Sequence, residues 1–109
     1  MWGRFMDRNN YFLGIDEVDR NKLTKLLTEE LPVLRAKIGV SQGEISSIIG
    51  VSRQTYSAIE NKKRVMSWNV FLSLILFFEH NQATKDFLIN AGIFPKSLQR
   101  MLNVNNRDG

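Results

Sequence analysis

The chain contains no cysteine, which excludes a disulfide framework and a thiolate metal site. It has a single histidine, His80, so a histidine-rich metal centre is equally excluded. No metal and no cofactor is expected. Long apolar runs are also missing. The strongest is Val70 to Phe78, broken by Ser73, and it is far shorter than the about 20 residues that span a bilayer. No membrane association is expected. The opening MWGRFMDRNNYFLGI lacks the apolar stretch and small-residue cleavage site of a secretion signal, so the expected location is the cytoplasm. Neither β-hairpin turns, internal repeats nor low-complexity tracts stand out. No nucleophile–base set, paired-acid spacing or glycine-rich phosphate loop is evident, and an enzyme is not expected.

What is present is an ordinary globular composition with 43% hydrophobic residues over 109 positions, enough for one modest core. The formal charge of +4 and a pI near 9.7 permit polyanionic partners without demanding one. Residues 1–15 show no period and read as a flexible arm. From Asp16, Leu23, Leu26, Leu27, Leu31 and Leu34 recur at helical spacing. Pro32 should kink or break that helix, because it lacks an amide donor and disfavours helix at Leu31. Gly39 should end it.

Ser41 and Glu44 have the spacing of a capping box, and Gly50 stands where a short second helix would stop. Ser52 is a good N-cap for a third helix reaching about Asn61. Ser67 caps a fourth from Trp68 to about His80. Asn81 opens a fifth closed by Gly92, and Pro95 fits the first turn of a sixth ending near Leu102. The tail 104–109 reads as disordered. The expected fold is all-α with five to six helices. Its divisions are an arm (1–15), a helix-turn-helix unit (16–80), C-terminal helices packed on the fourth (81–103) and a tail.

The segment SQGEISSIIGVSRQTYSAIEN places two short helices around the turn Ile49-Gly50-Val51-Ser52. Ile45 and Ile49 share one face of the first helix, and Tyr56 and Ile59 share one face of the second. Val51 lies between, and Leu34 and Ile38 of the preceding helix can complete the packing. Ser46 is small enough for a close helix approach. The opposite face of the second helix carries Arg53, Gln54 and Ser57 near its N-terminus. Arginine can donate to guanine and glutamine to adenine in a bidentate manner. The following Asn61-Lys62-Lys63-Arg64 is suited to phosphates. Double-stranded DNA is therefore the expected partner.

At these residues the sequence resembles the XRE-type, phage-repressor and Cro group of helix-turn-helix transcriptional regulators. The resemblance is carried by Ser41-Gln42, Glu44-Ile45, Gly50 to Thr55 and Ile59-Glu60-Asn61, and it covers about residues 31 to 77. It implies a lambda-repressor-like bundle with extra C-terminal helices. It also implies base reading by Arg53, Gln54 and Ser57, and phosphate contact by Gln42, Ser52, Thr55, Asn61, Lys62, Lys63 and Arg64. Gln42 would in addition brace the recognition helix. Arg35 and Glu60 match a pair that forms a structural salt bridge in family members. Departures from the pattern are Gly43 in place of a better helix former, Tyr56 for a smaller aliphatic residue, Ala58 for a polar one, and Val65 to Trp68 for a proline-serine entry.

The fourth helix leaves almost no polar face and must be covered on several sides. Phe77, Phe78, Phe87, Leu88, Phe94 and Leu98 are candidates for C-terminal packing or for a dimer contact. Trp2, Phe5, Tyr11 and Phe12 could add cover. Two functional expectations follow. One is a regulator acting as a homodimer on a two-fold operator. The other is an antitoxin or adaptor-type module that meets a protein partner through the apolar C-terminal helices.

Overall fold

The computed structural model describes residues 16–104, so the arm and the tail beyond Val104 lie outside the described residues. Six helices and no strand occur among the described residues. They are α1 (Glu17–Ile38), α2 (Gln42–Ile49), α3 (Arg53–Glu60), α4 (Trp68–Glu79), α5 (Gln82–Asn90) and α6 (Lys96–Leu102). The fold is an all-α bundle.

Local chemistry sets most of the boundaries. Asp16 caps α1 by accepting from the Asp19 amide. The Ser41–Glu44 capping box is complete: Ser41 Oγ accepts from the Glu44 amide at 3.0 Å, and Glu44 Oε1 accepts from the Ser41 amide at 2.9 Å. Ser52 and Ser67 cap α3 and α4 by accepting from the Thr55 and Val70 amides, without the return bond. Gly39 and Gly50 end α1 and α2 with φ of 68° and 83°, a region that costs glycine nothing sterically. Asn81 departs from its expected role. It precedes α5 without a side-chain cap and instead donates from Nδ2 to the Phe77 carbonyl at 2.8 Å.

Pro32 neither breaks nor ends its helix: α1 runs through it for 22 residues. Leu27 and Leu31 on one side of the proline and Leu34 on the other are completely buried, so packing anchors both halves of the helix. The proline itself is exposed, and water can serve the carbonyl that its missing amide leaves free.

The core unites α1 residues Leu27, Leu31 and Leu34 with Ile45, Tyr56 and Ile59 of the helix-turn-helix and with Phe71, Leu74 and Phe78 of α4. α1 packs on α3, α4 and α5, while α2 lies on α3 and α4. Leu88, Ile93 and Leu98 extend the same core toward the C-terminus. Ser46 is buried and donates to the Gly43 carbonyl at 2.9 Å, which satisfies its hydroxyl where the helices meet. The apolar α4 is covered on most sides but not all, because Leu76 is 62% exposed.

Candidate nucleic-acid interface

α3 is amphipathic. Tyr56 and Ile59 are buried, whereas Arg53 and Gln54 are exposed on its first turn. Ser57 is half-buried and its Oγ accepts from Asn61 Nδ2 at 3.3 Å. Arg53, Gln54, Ser57, Ala58, Asn61 and Lys63 together line one shallow depression. The expected base readers and two of the expected phosphate holders thus share a surface. Ser52 and Thr55, at the start of α3, are tied to each other. Ser52 Oγ accepts from the Thr55 amide at 3.0 Å and donates to Thr55 Oγ1 at 2.9 Å. The Ser52 proton goes to Thr55 Oγ1, and the Thr55 hydroxyl proton remains available to an outside acceptor.

Behind this surface a single carboxylate fixes α3. Glu60, at the last turn of α3, accepts from Arg35 Nε at 3.0 Å and Arg35 Nη2 at 2.8 Å. It also accepts from the Tyr56 hydroxyl at 2.7 Å and Gln42 Nε2 at 3.1 Å. Arg35 Nη1 donates in turn to the Val40 carbonyl at 3.0 Å. One acid therefore joins α1, the loop before α2, α2 and α3. Burial opposes the charge on Glu60, but the bonds from Arg35, Tyr56 and Gln42 overcome it and hold the carboxyl below its ordinary value. Burial first, and then the bond to Glu60, push the Tyr56 phenol far up. The bond to Glu60 raises the Arg35 guanidinium. At neutral pH the Arg35–Glu60 pair is ionised, and Tyr56 and Gln42 complete the brace as neutral donors.

Helical spacing assigns Tyr56 to packing alone, and the structure adds its hydroxyl to the network. Its i, i+4 spacing from Glu60 is the signal that would have revealed the bond. Gln42 is half-buried and its amide is turned inward onto Glu60. Lys62 also differs from the rest of its loop. Its φ is 64°, and its Nζ lies 2.8 Å from Glu29 on α1, not in the depression that Lys63 borders. Lys63 and Arg64 are exposed.

Of the C-terminal candidates, Phe78, Leu88 and Leu98 are fully buried in the chain's own core, while Phe77, Phe87 and Phe94 are half-buried. Leu76 and Phe77 face Ile48 and Ile49 across a groove that Ser73 and His80 complete. Among the described residues, no group of three or more histidines or acids could hold a metal ion, and no helix is long and apolar enough to cross a membrane.

A helix-turn-helix family model matches residues 34–66, less than a third of the chain. The match begins in the last part of α1 and ends just before α4. No curated protein and no solved structure matches the chain.

Proposed function

From the premise that the chain carries a helix-turn-helix domain at residues 34–66, which supports a DNA-binding, regulatory role in general, we propose that it is a sequence-specific transcriptional regulator. α3 enters the major groove of double-stranded DNA. Arg53, Gln54 and Ser57 read base edges. Thr55, Asn61, Lys63 and Arg64 hold phosphates, and Gln42 and Ser52 set the N-terminal ends of α2 and α3 against the backbone. The observation that carries this reading is the depression where Arg53, Gln54, Ser57, Asn61 and Lys63 converge, backed by the brace through Glu60. No cofactor and no catalysis are required.

The regulator acts as a homodimer on a two-fold operator, with half-sites one helical turn apart, about 34 Å. The groove of Ile48, Leu76 and Phe77 is the favoured contact surface, because Phe78, Leu88 and Leu98 are already enclosed. Selection of bound duplexes from a random pool tests the reading: it should return a sequence with two-fold symmetry. Failure to enrich any duplex at low salt would refute it. Arg53→Ala should cost about 1–3 kcal/mol on the selected site and relax one position.

A second reading is a protein-interaction module of the antitoxin or adaptor type. It draws on the same exposed side chains, Ile48 at 56% and Leu76 at 62%, as apolar surface for a different protein. Sedimentation of the purified chain separates the two. A dimer favours the first reading, whereas a monomer that retains an open apolar patch favours the second.

A further inference from the structure

A second concave surface lies beside the recognition face and shares Lys63 with it. α1 contributes Lys25 and Glu29 to its walls, and the loop after α3 contributes Lys62, Lys63 and Arg64; the cleft measures about 440 Å³. Four cations thus surround one carboxylate. Among the described residues the one carboxylate lining it is Glu29, at 2.8 Å from Lys62 Nζ. Among the described residues, Lys25, Lys63 and Arg64 make no ion pair. Such a concentration of one sign in a concavity focuses positive potential and attracts an anion.

The remaining chemistry narrows the kind of anion. The hydroxyls of Thr24 and Thr28, which also line the cleft, donate inward to the carbonyls of Asn21 and Thr24. The outward donors are therefore flexible ammonium and guanidinium groups that bind charge with little directional demand. A phosphodiester suits them better than a ligand that needs fixed hydrogen bonds. Lys63 lines both this cleft and the depression with Arg53 and Gln54, so the two surfaces share a wall. A phosphate run that leaves the recognition face at Lys63 continues directly into the cleft.

We propose that the cleft holds DNA backbone phosphate beyond the part reached from α3, with Lys25 on α1 as a contact and with Glu29 as a placeholder that Lys62 leaves when DNA arrives. Both members of the Glu29–Lys62 pair are more than half exposed, and pairs of this kind hold weakly enough for a phosphate to displace the carboxylate. The left-handed backbone of Lys62 turns the loop so that its side chain reaches α1, which keeps the ammonium over the cleft before and after the exchange. The proposal rests on the DNA-binding reading, and extends the contact surface onto a helix outside the helix-turn-helix.

The test uses the full chain on a duplex several helical turns long, with binding measured as a function of salt. Lys25→Gln should lower the slope of log affinity against log salt by about 0.9, to the same extent on every sequence, and Lys25→Glu should lower affinity further. Glu29→Gln should raise low-salt affinity, up to about five-fold, by freeing Lys62. A scan of single uncharged methylphosphonate linkages should find one that weakens the wild-type chain but leaves Lys25→Gln unaffected. Unchanged slope and affinity in Lys25→Gln, with DNA binding otherwise intact, would overturn the cleft proposal alone. Weaker binding by Glu29→Gln would overturn the placeholder role, because Glu29 would then be positioning Lys62 for DNA. Failure of the wild-type chain to bind any duplex would overturn the DNA-binding reading itself.

Discussion

Replacing Glu60 by alanine should be among the most damaging single changes available in this chain. The substitution removes the acceptor of four hydrogen bonds, three of them bridging from Arg35 and Gln42 to α3. It also strands Arg35, whose side chain is only 20% exposed. Breaking one side of a buried ion pair costs about 3–5 kcal/mol, because the surviving charge has lost its partner. Here the lower end applies: Arg35 keeps its bond to the Val40 carbonyl, and partial exposure lets water reach it. About 3 kcal/mol is therefore expected, a large share of the 5–15 kcal/mol typical of a whole domain. In a domain this size it corresponds to a fall in Tm on the order of 15 °C. Urea titration of wild type, Arg35→Ala, Glu60→Ala and the double variant gives both the cost and the coupling. The double variant should be little worse than either single one, since the second change removes a charge already stranded by the first. A Glu60→Ala cost below about 1 kcal/mol, or strictly additive losses in the cycle, would refute the assignment of the network as the brace of α3.

Other consequences are simpler to check. The Glu60 carboxyl is held below its ordinary value, so its contribution is fully present above the unfolded value of about 4.3 and is lost as pH falls through the lower folded value. Tm should therefore drop on acidification through that window, and Glu60→Gln should flatten the drop; an unchanged profile would assign the acid sensitivity elsewhere. Gly43→Ala should stabilise the chain by up to about 1 kcal/mol, because an added Cβ meets only Ser41 Oγ at 3.8 Å and Arg53 Cδ at 4.0 Å, ordinary contacts; thermal melts would show a gain or disprove it. Gly50→Ala should cost about 1–2 kcal/mol through its φ of 83° alone, since nothing lies within 4 Å of the new methyl. Lys63→Ala should weaken all duplexes alike and reduce the salt slope, while Arg53→Ala should act most strongly on the preferred sequence; indistinguishable behaviour of the two would contradict the division between readers and holders.

Features decided within one turn of chain were legible from the residues. The Ser41–Glu44 box, the Ser52 and Ser67 caps and the stops at Gly39 and Gly50 need only neighbours three or four positions away, and all occur in the structure. Pro32 was not legible, because its local penalty is outweighed by leucines that find their partners in α3, α4 and α5. The direction of Lys62 was hidden for a similar reason: its partner Glu29 is 33 positions away. The aromatic wealth of the C-terminal half could be read as core or as interface with equal justice. Only the folded arrangement shows that Phe78, Leu88 and Leu98 are enclosed while Leu76 is not.

The position of Glu60 makes α3 a lever. Its fulcrum is the last turn, and its far end carries Arg53, the proposed base reader, seven residues away and therefore roughly 10 Å along the axis. A tilt of about 10° at the fulcrum would carry Arg53 through about 2 Å at the tip, well outside the range in which a guanidinium can hold two acceptors on one base. The buried face of α3 would feel less, because Ile59 lies next to the pivot and Tyr56 only about 6 Å from it. A slackened fulcrum, such as loss of the Tyr56 hydroxyl, would consequently blunt discrimination between sequences while the bundle still melts as a folded protein.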